Sequence, residues 1–172
     1  MKRLNSTLFL SIIFSVIVVF TGCKKEEEAE TTLGSATIIG KVKINGYDLE
    51  RLPENFNELD ADAQEARVKE AKAAALANMA GAKVFATQDT RELVLNPSGN
   101  NYVTKYYETT IDASGNFTFT VDANVQAVDV DLDPEDFRKG KYEYVTNDSP
   151  TVTVHKGRKV YVDLEYNEVV NE

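Results

Sequence analysis

The side chains of this 172-residue chain that could do chemistry are mostly carboxylates. Asp129, Asp131 and Asp133 alternate with Val128, Val130 and Leu132, so in an extended strand all three acids project from one face. Glu135 and Asp136 follow across Pro134. Oxygen ligands at that density could hold calcium. Two features weigh against it. Pro134 stands where an EF-hand type of loop needs glycine, and strand spacing sets successive carboxylates about 6.6 Å apart, too far for three to grip one ion unaided. The competing reading is a solvated outer face. His155 is the single histidine and Cys23 the single cysteine, so a zinc site or a Ser-His-Asp triad lacks its parts, and His155 reads as a solvated side chain beside a turn. Glycoside hydrolysis needs two acids set apart in a cleft, and 28 acidic residues leave no pair distinctive. Lys41 or Lys43 could attack the Asn167 amide and release ammonia, but the reaction needs a nearby acid and no motif supplying one is visible. Tyr102, Tyr106, Tyr107, Tyr142, Tyr144, Tyr161 and Tyr166 fall mostly on β-rich segments, where packing is the first reading and recognition the second. No catalytic constellation emerges, and the chain is expected not to be an enzyme or to need a cofactor.

The most specific chemistry lies at Cys23. Lys2 and Arg3 precede an apolar run from Leu8 to Phe20, and Thr21-Gly22 leads into the cysteine. A basic start, a short apolar run and a small residue before a cleavage point make a secretory signal, residues 1–22. The run is shorter than the roughly 20 residues of a membrane helix. A cysteine at the cleavage point resembles the lipobox of a bacterial lipoprotein, with an aromatic residue, Phe20, at the position where leucine is commoner. Uncleaved anchoring and a plain secretory signal are the alternatives. The resemblance implies that Cys23 becomes the mature N-terminus and carries diacylglycerol and palmitate-type acyl chains. Each buried CH₂ contributes about 0.8 kcal/mol, so two or three chains anchor stably. Lys24, Lys25, Glu26, Glu27 and Glu28 follow directly. They read as a solvated tether over residues 23–35, and they also resemble the export signal of Bacteroidetes surface lipoproteins. That resemblance implies an outer-membrane protein facing the cell exterior.

Composition limits the partners. The net charge is −9, and removing residues 1–22, which carry two basic residues and no acid, makes the mature chain more acidic. This argues against nucleic acid or an anionic lipid surface as a partner. With Cys23 committed to lipid no internal disulfide can form, so core packing must hold the domain.

The elements that would position these residues are mainly strands. Ile38, Gly40, Val42 and Ile44 alternate with polar positions, and Asn45-Gly46 marks a turn. An insertion at 53–80 differs: Asp62-Ala63-Gln64-Glu65 has capping-box spacing, and strong helix formers run from there to Met79. Gly81 stops the run. One helix over 62–79 is expected to pack lightly on the body. Period two then returns over 82–87, with a short strand near 91–95. Strands follow at 102–111, 117–121 and 125–132. Asp112 to Asn116 is expected to close one hairpin, and Lys156-Gly157-Arg158 a second between 151–155 and 159–166. Together these give one domain over 36–166, an antiparallel β-sandwich of about seven strands, with a tail at 167–172.

The order of these segments resembles the carboxypeptidase regulatory-like domains, which have a transthyretin-like (prealbumin-like) sandwich. The resemblance rests on the first strand ending near Ile44, on Gly81-Ala82-Lys83-Val84, on Thr110-Ile111-Asp112-Ala113-Ser114-Gly115-Asn116-Phe117-Thr118-Phe119, and on Val152-Thr153-Val154-His155-Lys156-Gly157. It covers about residues 36–166. The helical insertion lengthens the first connection, and Asp122-Ala123-Asn124-Val125 replaces the family's usual Pro-Gly-Tyr turn. The resemblance implies a non-catalytic binding or accessory module with a glycan or an envelope protein as partner. A purely structural lipoprotein without a specific ligand is the alternative.

Overall fold

The computed structural model describes residues 33–171. Among them run nine strands and one α-helix. The strands are β1 (Gly34–Gly46), β2 (Lys83–Asp89), β3 (Thr104–Thr110), β4 (Asn116–Ala123), β5 (Val128–Pro134), β6 (Phe137–Lys139), β7 (Tyr142–Val145), β8 (Thr151–Val154) and β9 (Lys159–Val170). The helix, α1 (Ala61–Asn78), lies between β1 and β2. One sheet has the order β4-β1-β9-β7-β6 and curls strongly; the other has the order β3-β2-β5-β8. The chain is therefore mainly β, built on two sheets.

The core follows from period-two alternation. Ile38, Val42 and Ile44 of β1, Phe117, Phe119 and Val121 of β4, Val128, Val130 and Leu132 of β5, and Leu164 and Tyr166 of β9 are all buried, which is the set that alternation assigns to inward faces. Gly40 belongs to the same row. A Cβ built there would fall 1.8 Å from Phe117 Cζ, so the Phe117 ring occupies the space that any side chain at residue 40 would need. Phe119 meets Phe117 edge-on, with ring centroids 6.0 Å apart.

Several expectations are corrected. The sheets are not wholly antiparallel: β1 and β9 run parallel, with Ile38 opposite Val160 and Val42 opposite Leu164. The two expected hairpins are instead crossings between sheets. β3 pairs with β2 and β4 with β1, so the turn at Asp112 to Asn116 carries the chain from one sheet to the other. The turn at 156–158 does the same, because β8 pairs with β5 and β9 with β1 and β7. Turn residues specify that the chain bends, not which strand it next pairs with. The strand count is nine rather than about seven, because β6 and β7 form a short hairpin across Gly140, whose φ is +64°. The stretch near 91–95 is no strand but a 3-10 turn over Thr90–Leu93, capped by Asp89. β9 continues through Val170, taking in most of the residues set aside as a tail, and β1 continues through Asn45-Gly46 with an irregularity after Ile44.

The helix cap lies two residues earlier than expected. Asp60, not Asp62, is the cap, its Oδ1 accepting from the Ala63 backbone N–H at 2.8 Å. Both aspartates have capping chemistry, and the earlier one lets two more residues enter the helix. Gln64 Nε2 donates back to the carbonyls of Phe56 and Leu59, tying the preceding turn to the first helical turn. Only small residues, Ala71 and Ala75, are buried along α1, with Met79 at its end. This fits light packing, and Leu76 Cδ2 would lie 2.9 Å from a Cβ on Gly115.

Candidate functional site

Cys23 and the run Lys24 to Glu28 lie outside the described residues. Of the residues singled out within them, Asp129, Asp131 and Asp133 do share the exposed face of β5. Two are engaged by the neighbouring strand: Thr153 Oγ1 donates to Asp129 Oδ1 at 2.7 Å and Thr151 Oγ1 to Asp131 Oδ1 at 2.6 Å. The geometry is a cross-strand Thr–Asp ladder. Among the described residues no group of three or more His, Cys, Asp or Glu is placed to hold a metal ion. His155 is exposed, its Nδ1 3.4 Å from the Val125 carbonyl. Lys43 Nζ lies 2.6 Å from Asp163 Oδ2, both about half exposed, and this partner holds its pKa above the ordinary value. Asn167 Oδ1 instead accepts from the Gly46 N–H. Lys43 and Asn167 are thus each engaged with a different partner.

The tyrosines divide by environment. Tyr144 and Tyr166 are fully buried, and burial pushes both phenols up. Tyr107 is half-buried and donates to Gln88 Oε1, while Gln88 Nε2 donates to the Asp122 carbonyl. Tyr106 and Tyr161 are exposed, one on each sheet.

The densest polar cluster was not singled out from sequence. Glu168 is in phase with Leu164 and Tyr166, so β9 turns it inward with the core residues. Arg51 grips it twice, Nε to Oε2 at 2.9 Å and Nη2 to Oε1 at 2.7 Å. Tyr144 Oη donates to Oε1 at 2.6 Å and the Asp48 N–H to Oε2 at 2.9 Å. Burial alone raises the Glu168 pKa, but the bonds from Arg51, Tyr144 and Asp48 together outweigh it and hold the carboxyl below the usual range. The Arg51 guanidinium also stacks 4.4 Å over the Tyr142 ring. Asp48 Oδ2 makes no hydrogen bond among the described residues and lies 3.7 Å from Lys141 Nζ. Every charge here is answered by another within the chain, so the cluster fastens the segment after β1 to β7 and β9. The signal that could have found it is an acid at a core position of an otherwise regular alternation.

Two open grooves can be named among the described residues. One, of about 440 Å³, is lined by Lys43, Asp148, Pro150, Asp163 and Glu165, where Asp148 Oδ2 already accepts from the Glu165 N–H. The other, of about 540 Å³, is lined by Arg91, Val94, Leu95, Pro97, Gln126 and Asp129 and has the more apolar walls. Neither encloses a pair of unengaged acids.

No protein-family model matches the chain, and no curated protein does. Among solved structures, it is similar to a DUF3823 family protein from Parabacteroides merdae, with 12% sequence identity and a TM-score of 0.32. The match covers 77% of this chain and 46% of that one, so this chain spans less than half the length of the protein it resembles.

Proposed function

We propose that this chain is a lipid-anchored lipoprotein of a bacterial outer membrane, held through Cys23 and facing the cell exterior. Its β-rich body acts as a non-catalytic binding or accessory module for a glycan or an envelope protein. The observation that carries this reading is the order of Lys2-Arg3, the apolar run to Phe20, Gly22-Cys23 and the charged run Lys24 to Glu28, followed at once by a folded body beginning with Gly34. Such an order supplies export, anchor and spacer in the sequence they are needed. Exposed Tyr106 and Tyr161 support a binding role over a purely structural one, since aromatic surface is favoured at recognition sites. Within this reading the fold is the prealbumin-like domain of the carboxypeptidase regulatory-like family. It is supported by Gly115 at φ +81° and by Phe117 and Phe119 in the core.

Two measurements test the proposal. Protease treatment of intact cells should remove the protein, whereas protection until the outer membrane is opened would contradict the outward address. A glycan array and a pull-down from solubilised envelopes should yield a saturable ligand. Silence in both, with folded lipidated protein, would leave the structural role and reject the binding one.

A further inference from the structure

The described chain begins at the same end of the body as several exposed apolar side chains. Hydrogen bonds trace that end residue by residue. The Ser35 carbonyl accepts from Gly157 N, and Lys156 N donates to the Asn124 carbonyl. Asn124 Nδ2 donates to the Leu93 carbonyl, and Gln126 Nε2 to the Val94 carbonyl. Thr90 and Val103 bond each other's backbones or side chains in turn. Around this end Val125 is 65% exposed, Val103 64%, Leu33 53% and Leu95 45%, beside the groove walled by Val94, Leu95 and Pro97. Exposed apolar side chains on loops cost solvation that nothing within the described body relieves.

The local charge differs from that of the whole chain. Asp89 and Glu92 are turned to backbone N–H groups of Arg91 and Asp129, and Asp122 is held by Lys105. Arg91, Arg158 and Lys159 are exposed at the same end, and Arg91 stacks 5.3 Å over the Tyr102 ring. Apolar loop tips beside an amphipathic aromatic and exposed cations match the composition of a lipid headgroup boundary.

Chain length supplies the occupant. Ten peptide units separate Cys23 from Leu33, so this end cannot stand more than about 35 Å from the point where a lipid on Cys23 enters the bilayer. We propose that the end formed by residues 90–103, 124–127 and 155–158 docks on the lipid surface of the membrane that holds Cys23, with Leu95 and Val125 entering the headgroup layer. This inference rests on the lipid-anchor reading. Docking sets the orientation of the body, turning the opposite end, where Leu49 is exposed, away from the membrane.

The test uses the full mature chain in phosphatidylethanolamine–phosphatidylglycerol vesicles. A lipidated Cys23 offers no thiol, so Leu95→Cys, Val125→Cys or Leu49→Cys can each carry one environment-sensitive fluorophore. Headgroup-level spin-labelled lipid should quench the labels at 95 and 125 and leave the label at 49 bright. A Leu95→Asp, Val125→Asp double variant, read from a Val103→Cys label, should lose quenching while still floating with the vesicles. Floating protein with equal emission at both ends would overturn the docking and leave the anchor intact. A blue-shifted label at 95 without quenching would show a protein covering this end and also overturn it. Protein that stays in solution and shows a reactive Cys23 thiol would overturn anchor and docking together.

Discussion

Glu168 occupies a position where the alternation of β9 would place an apolar side chain, and its four hydrogen bonds explain why it is tolerated. Removing one partner of a buried pair leaves the other uncompensated, so Glu168→Ala is expected to cost about 3–5 kcal/mol in urea unfolding. The pH dependence follows from its depressed pKa. A carboxyl lowered on folding contributes stability that is fully present above its unfolded pKa of about 4.3 and is lost as pH falls through the folded value. The unfolding midpoint of the parent should therefore decline below about pH 5 more steeply than that of Glu168→Gln; parallel curves would assign the acid sensitivity elsewhere. Gly40 gives a second residue-scale expectation. With Phe117 filling the space beside it, Gly40→Ala should destabilise by about 1–3 kcal/mol through overpacking. Pairing it with Phe117→Leu should recover part of the loss, measured as a non-additive double-mutant cycle.

At the scale of elements, α1 discriminates between two caps that look alike in sequence. Asp60→Ala should cost about 1 kcal/mol and Asp62→Ala much less, read from denaturant midpoints with unchanged slope. The inward faces of β1, β4 and β5 were legible because their alternation is regular and each inner row is apolar. The helix was legible from its composition, although two usable aspartates blurred its start. Pairing was not legible. Period two says which face of β9 is inward, yet it cannot say that β9 lies parallel to β1 and not beside β8. The same limit hid the sheet crossings at 112–116 and 156–158. β6 and β7 escaped notice because Lys139-Gly140-Lys141 sits among charged residues, with only Tyr144 fully buried between them. The Arg51–Glu168 cluster was illegible for a different reason: Arg51 and Glu168 are 117 residues apart, and the pairing of β9 with β1 and β7 brings the members together.

At the scale of the whole molecule, the described residues form a β-rich body whose strongest polar clusters are turned to its own fastening, with apolar and aromatic residues left on the outside. The proposed anchoring chemistry lies in the sequence ahead of Gly34, and the functional account depends on it. Cys23→Ser should shift the protein from the membrane pellet to the soluble fraction, because a serine offers no sulfur for the lipid. The most direct test of the account is the intact mass of the N-terminal peptide of protein purified from membranes. The account predicts a chain that begins at Cys23 and carries diacylglycerol and acyl chains. A chain retaining residues 1–22, or one beginning near Cys23 with an unmodified thiol, would contradict it.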